Sequence, residues 1–144
     1  MSSQKPIFDL YEFTNNLSKD FLIQNHVKYQ SFSYIKGSVG ELQVLDTLNK
    51  HGGTFFARFR HNKFKNGYIN IQGFFNDTYF LICVKFCVSK FDSLDFILAF
   101  KDAVSMFENA AGIFFCPSGI KASCRKNLGN IKLVESLEEL LTVI

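Results

Sequence analysis

Residues 66–90 read Asn-Gly-Tyr-Ile-Asn-Ile-Gln-Gly-Phe-Phe-Asn-Asp-Thr-Tyr-Phe-Leu-Ile-Cys-Val-Lys-Phe-Cys-Val-Ser-Lys. Residues 68–75 and 78–88 are rich in aromatic and β-branched side chains, which suit a pleated surface. Between them Asn76-Asp77 forms a two-residue loop, and both residue types tolerate the positive φ of a tight hairpin turn. The stretch predicts a β-hairpin whose register follows from the loop. If Phe75 faces Thr78, then Ile71 faces Ile82 and Ile69 faces Val84. With Phe80 and Phe86 these make one apolar face. Period-two alternation sends Tyr68, Asn70, Gln72, Leu81, Cys83 and Lys85 to the other. Asn70 then lies opposite Cys83, with Cβ atoms roughly 5 Å apart, and Lys85 is one step along the same face.

Working outward, residues 38–50 predict a helix. Ser38 and Glu41 have the spacing of a capping box, Leu42, Leu45 and Leu48 the spacing of a buried stripe, and Gly52-Gly53 a stop. Residues 54–60 alternate weakly and predict a first strand, followed by a loop over 61–65. After the hairpin, Asp92 or Ser93 caps a helix reaching about residue 109. Residues 112–116 form a short strand, residues 120–128 a helix stopped at Gly129, and residues 131–134 a last strand. Residues 136–143 form a last helix with a second capping box, Ser136 and Glu139. Strands alternating with helices at this end argue for parallel pairing through right-handed crossovers. The expected fold is α/β: a mixed central sheet with an antiparallel hairpin, a βαβ-like C-terminal part and helices on both faces. Residues 1–36 are expected to be a helical arm, with short amphipathic helices over 7–11 and 17–23, packed on a domain of residues 37–144 or extending from it.

Composition agrees with one globular domain. The 144 residues are 47% hydrophobic and 20% charged, and the formal net charge is only +3. Its distribution is uneven, however. Residues 47–76 hold no Asp or Glu but contain Lys50, His51, Arg58, Arg60, His61, Lys63 and Lys65. A second basic cluster is Lys121, Arg125 and Lys126. Such patches suit phosphate backbones. No stretch approaches the roughly 18 apolar residues of a membrane span, so no membrane partner is expected. Cys83 and Cys87 are roughly 13 Å apart along a strand, too far for one zinc or one disulfide. The four cysteines, Cys83, Cys87, Cys116 and Cys124, are therefore read as free thiols in a reducing, intracellular compartment. His26, His51 and His61 make no ligand spacing with them, and no metal site is expected. A cysteine-nucleophile site at Cys83 beside Lys85 has no His or acid placed to complete it.

The hairpin resembles the core of the PD-(D/E)xK nucleases, and within them the Mrr-type restriction endonuclease-like family. Residues 66–71, Asn-Gly-Tyr-Ile-Asn-Ile, are similar to that family's Asp-Gly-Gly-Ile-Asp-Ile. Residues 82–85, Ile-Cys-Val-Lys, are similar to its strand ending in Gln-x-Lys. The resemblance extends from residue 21 to 144 and includes Gly37-Ser38-Val39-Gly40-Glu41 at a helix start. Residues 24–48 look most like a fungal, mitochondrial branch associated with respiratory growth. The resemblance implies a restriction endonuclease-like fold with four site positions: Glu41, Asn70, Cys83 and Lys85. In such nucleases the acid or amide oxygens hold Mg²⁺ and the lysine assists the attacking water. Here Asn70 stands where the family has Asp, and Cys83 where it has Glu or Gln. The site is degenerate.

The leading expectation is therefore DNA binding through Arg58, Arg60, Lys63, Lys65, Lys121 and Arg125, with catalysis lost or weak and no cofactor. The alternatives are an active endonuclease, the one reading that requires Mg²⁺, and a protein-interaction or assembly scaffold. The N-terminal arm is a candidate surface for a homodimer or another protein partner. The resemblance implies a mitochondrial location. Residues 1–20, with Asp9, Glu12 and Asp20 against Lys5 and Lys19, do not have the composition of a transit peptide, which leaves nucleus or cytoplasm as the other expectation.

Overall fold

The computed structural model describes residues 29–57, 68–126 and 128–144, with the backbone alone for residues 29–39. The expected arm helices at 7–11 and 17–23 and the loop at 61–65 lie outside the described residues. Helix α1 spans Tyr29–Lys50, followed by strands β1 (Thr54–Ala57), β2 (Ile71–Phe75) and β3 (Thr78–Val84). Helix α2 (Leu94–Ser105), strand β4 (Ala110–Phe115), a 3₁₀ turn (Ala122–Cys124), strand β5 (Ile131–Val134) and helix α3 (Leu137–Val143) complete the order. The sheet order is β1-β2-β3-β4-β5, antiparallel through β3 and parallel from β3 to β5. The protein is thus α/β with a five-stranded mixed sheet.

The hairpin has the register its turn dictates. Phe75 pairs with Thr78 and Ile71 with Ile82, and Asn76 and Asp77 take φ of 47° and 65°, as a tight primed turn requires. Both strands are shorter than the sequence suggests.

Helices cover both faces of the sheet. On one, Val44 and Leu48 of α1 and Leu140 of α3 pack on Phe55, Ile71, Phe80, Ile82, Val84, Ile113 and Phe115. On the other, Ile97, Phe100, Ala103 and Val104 of α2 pack on Leu81, Cys83, Phe114 and Ile131. Phe100 and Phe114 are completely buried. Each such side chain contributes about 1.5–3 kcal/mol by leaving water.

Three expectations are corrected here. First, the hairpin face expected to cluster Asn70, Cys83 and Lys85 is largely a second core, because α2 covers Leu81 and Cys83. Ile69 joins that core instead of the one containing Ile71, so period-two alternation breaks at Asn70. Second, α1 does not start at Ser38; it runs unbroken from Tyr29 through Gly37 and Gly40. Its sheet-facing positions are Gly40, Gln43, Val44, Thr47 and Leu48, all buried, while Leu42 is 58% exposed. A Cβ on Gly40 would lie 2.2 Å from the Phe86 ring. That glycine makes room for a ring rather than opening a helix. Third, residues 120–128 do not form a helix. Ile120 bridges Phe91 in parallel, and the Lys121 N–H bonds the Phe91 carbonyl. Among the described residues of this stretch, these extended contacts leave only Ala122–Cys124 helical.

The capping residues behave as their chemistry predicts. Ser93 Oγ accepts the Phe96 N–H at 3.2 Å, and Ser136 Oγ accepts the Glu139 N–H at 3.0 Å. Glu139 reaches back to the Glu135 N–H at 3.3 Å, one residue earlier than a capping box requires. Gly52 and Gly53 do end α1, with the Gly53 N–H bonding the Leu48 carbonyl. Just beyond, the Asn49 side chain clips β1: its amide nitrogen donates to the Phe55 carbonyl at 3.0 Å, and its oxygen accepts the Phe55 N–H at 2.8 Å. Two backbone groups of the edge strand are thereby satisfied by one side chain.

Candidate functional site

Asn70 sits where β2 leaves the sheet. Its own N–H bonds the Ile82 carbonyl at 2.9 Å. Its side-chain oxygen accepts the Val84 N–H at 2.7 Å. Val84 is the last residue of β3, and its N–H points to the side where β2 has already ended. The Asn70 amide replaces the missing strand partner. At 2% exposure this is a costly group to bury unpaired, and its geometry explains why a polar residue stands between Ile69 and Ile71.

Cys83 is fully buried between Leu81 and the α2 side chains. A small thiol suits that space as an apolar filler. Lys85 is the first residue past β3, and its N–H bonds the Phe115 carbonyl at 2.8 Å. Its half-buried side chain puts Nζ over the Phe96 ring, 4.4 Å from the centroid. Such a contact contributes about 0.5–2 kcal/mol. Phe96 belongs to an aromatic cluster with Tyr68, Phe91 and Phe114, at centroid distances of 4.9, 5.6 and 6.1 Å. Lys85 covers that cluster with its charge toward solvent.

The hairpin therefore brings Asn70, Cys83 and Lys85 to one end of the β2–β3 pair. It does not bring Glu41 with them. Glu41 is half-buried on α1, across the sheet from α2 and the Phe96 ring that Lys85 caps. The residues present do not fit the Mg²⁺ centre that the resemblance implies. The Asn70 oxygen is occupied by a backbone N–H, the Cys83 sulfur is a soft donor inside a core, and Mg²⁺ requires hard oxygen ligands. Among the described residues, no three or more His, Cys, Asp and Glu side chains gather in a metal-ligating group.

A cleft of about 300 Å³ opens at the carboxyl ends of β3, β4 and β5, and the sequence alone did not point to it. Gly40, Gln43, Phe86, Phe115, Pro117 and Glu135 are among the residues that line it. None of Glu41, Asn70, Cys83 and Lys85 does. Glu135 is engaged there: it pairs with Arg125 and accepts the Ile120 N–H at 3.0 Å. No local signal marks this cleft, because it depends on three strand ends meeting α1.

Of the expected phosphate-binding residues, Arg58, Arg60, Lys63 and Lys65 lie outside the described residues. Lys121 pairs with Asp92 at 3.0 Å, and Arg125 with Glu135. Both cations are thus partly neutralised at their own surface. On the α2 side of the sheet's first strands, Phe56 and Phe74 are 52% and 55% exposed. The register places them diagonally on adjacent strands. The Phe74 ring also meets that of Tyr79 at a 58° tilt, with centroids 4.7 Å apart. Among the described residues, no helix is long and apolar enough to cross a membrane.

Compared with known proteins, the chain matches no family model, no curated protein and no solved structure.

Proposed function

We propose that this chain is a restriction endonuclease-like domain that binds DNA through phosphate contacts and does not cleave it. The reading is carried by the hydrogen bond between Asn70 and Val84. It gives the position of the family's metal-binding acid a purely structural task and removes its oxygen from any ion. The order of elements supports the reading: a helix, three antiparallel strands with lysine at the end of the third, a helix, then parallel strands. DNA as partner is supported by the acid-free run of residues 47–76, which includes β1 and β2. The test is binding of a fluorescent duplex at several salt concentrations, alongside incubation of plasmid DNA with the protein and Mg²⁺. Salt-sensitive binding without nicking is expected. Robust Mg²⁺-dependent cleavage that Lys85→Ala abolishes would establish the endonuclease reading instead.

A scaffold reading is favoured by one observation, the exposed pair Phe56 and Phe74. If this face docks a protein, Phe56→Ser with Phe74→Ser abolishes that association and leaves DNA affinity unchanged.

A further inference from the structure

Beyond Val84 and Phe115 the two chains leave the sheet side by side, held by the parallel register of β3 and β4 and by the bond from the Lys85 N–H to the Phe115 carbonyl. The next residue after β4 is Cys116. Two residues beyond Lys85 is Cys87, which packs against the core cluster containing Cys116. The two side chains thus meet in one cluster, and the nearness of Cys87 is the main cause that raises the Cys116 thiol. Cys116 is fully buried and fixed, with its N–H on the Val134 carbonyl at 2.9 Å and its sulfur 3.2 Å from Ser118 Oγ. Cys87 is half-buried and belongs to an irregular segment followed by exposed Val88, Ser89 and Lys90. One sulfur is thus reachable from solvent and the other waits behind it.

We propose that Cys87 and Cys116 form a peroxide-oxidisable dithiol that closes to an intramolecular disulfide between the end of β3 and the end of β4. The nearness of Cys87 is the first cause that raises the Cys116 thiol far above its ordinary range, and burial is the second. The pair therefore reacts through the outer sulfur, which solvent reaches, and the inner one follows. The Cys87 thiolate attacks one oxygen of a hydroperoxide. An S–O bond forms, the O–O bond breaks, and the departing oxygen takes from solvent the proton that Cys87 gave up on ionising, leaving as water or alcohol. The Cys116 sulfur then attacks the sulfenic sulfur of Cys87. The S–S bond forms, the S–O bond breaks, and hydroxide leaves with the Cys116 proton as water. Two thiols lose two electrons and the peroxide gains them.

Closure brings the two sulfurs to about 2.05 Å. Residues 86–90 can take up that movement, since they make no strand pairing. Closure also fixes Phe86, which lines the cleft with Phe115 and Pro117. Cys83 and Cys124 are almost completely inaccessible and do not take part.

The test is peptide mapping of the folded full chain after treatment with excess hydrogen peroxide, with free thiols alkylated under denaturing, non-reducing conditions. The expected result is a Cys87–Cys116 cross-linked peptide, with Cys83 and Cys124 alkylated and thiol reductant reversing the link. In Cys116→Ser, Cys87 stops at sulfenic acid and is trapped by a carbon nucleophile such as dimedone. Overoxidation of Cys87 to sulfinic acid in the unmodified protein, with Cys116 still alkylated, overturns the proposal. So does a peptide map unchanged by peroxide. The wild-type map decides even if the variant fails to fold.

Discussion

The side-chain oxygen of Asn70 accepts the Val84 backbone N–H at 2.7 Å, in a position only 2% exposed. Removing it leaves a buried donor without a partner, which costs about 1–3 kcal/mol. Asn70→Ala is therefore expected to lower the unfolding free energy by that amount, read as a lower urea midpoint at unchanged slope, with amide exchange quickening first at Val84. An unchanged midpoint would mean that water or another group takes the bond as well.

The same relationship bears on rebuilding a metal site. Asn70→Asp with Cys83→Glu restores the residue types that the resembled family carries. Cys83, however, is fully buried among Leu81 and the α2 side chains. A glutamate there is larger than the space and places a charge in a core. Circular dichroism is expected to show an unfolded or grossly destabilised protein, with no recovery on adding Mg²⁺. A folded double variant that Mg²⁺ stabilises would show that the site lies open to the ion.

Gly40 gives a sharper test, because two accounts of it predict opposite signs. A glycine in an unconstrained helix interior costs about 0.5–1 kcal/mol relative to alanine, so Gly40→Ala would stabilise. The structure places Phe86 ring atoms 2.2–2.7 Å from the new Cβ. Gly40→Ala is expected to destabilise by about 1–3 kcal/mol through overpacking. In a Phe86→Leu background the same change should cost much less, a coupling that a double-mutant cycle measures directly.

These residues show what the sequence could and could not reveal. The hairpin register was legible because turn type and period-two alternation are local. The caps at Ser93 and Ser136 were legible for the same reason. Gly40 was not, because its cause is a ring far away in sequence. Helices on both faces were legible from the alternation of strands and helices, but that α2 would bury Cys83 was not, because nothing near Cys83 announces it. Ile69 changes faces only because β2 departs at Asn70. As for the candidate site, the sequence put Asn70, Cys83 and Lys85 together. The individual tasks of a ladder cap, an apolar filler and a cation over Phe96 emerge only once β3, β4 and α2 are assembled.

The buried thiol of Cys116 makes a prediction about pH. Its folded-state value is raised above the ordinary value of 9.0, first by the nearness of Cys87 and then by burial. Above pH 9 the unfolded chain releases that proton while the folded chain keeps it, so stability falls as pH rises. Each such group contributes at most about 1.4 kcal/mol per pH unit. Below pH 9 the term is flat. Urea midpoints measured from pH 7 to 10.5 are expected to decline at the alkaline end more steeply in the wild type than in Cys116→Ala. Parallel declines would assign the slope to other groups.

The last prediction separates the two basic clusters. If DNA is bound through the acid-free run, the contributing cations are Arg58, Arg60, Lys63 and Lys65, none of which has an acid near it in sequence. Lys121 and Arg125 already hold Asp92 and Glu135. To meet a phosphate they must give up or share those partners, which lowers their net gain. Each phosphate contact contributes roughly 0.9 to the slope of log affinity against log salt. Arg58→Gln with Arg60→Gln should therefore reduce the slope by about 2 and weaken binding to all duplex sequences alike. Lys121→Gln with Arg125→Gln should change it by less than about 1. The reverse ranking would move the DNA surface to the β4–β5 side. Equal slopes in all three proteins would place the phosphate contacts on other residues, and no binding at low salt would remove nucleic acid as the partner and leave the Phe56–Phe74 face as the surface to pursue.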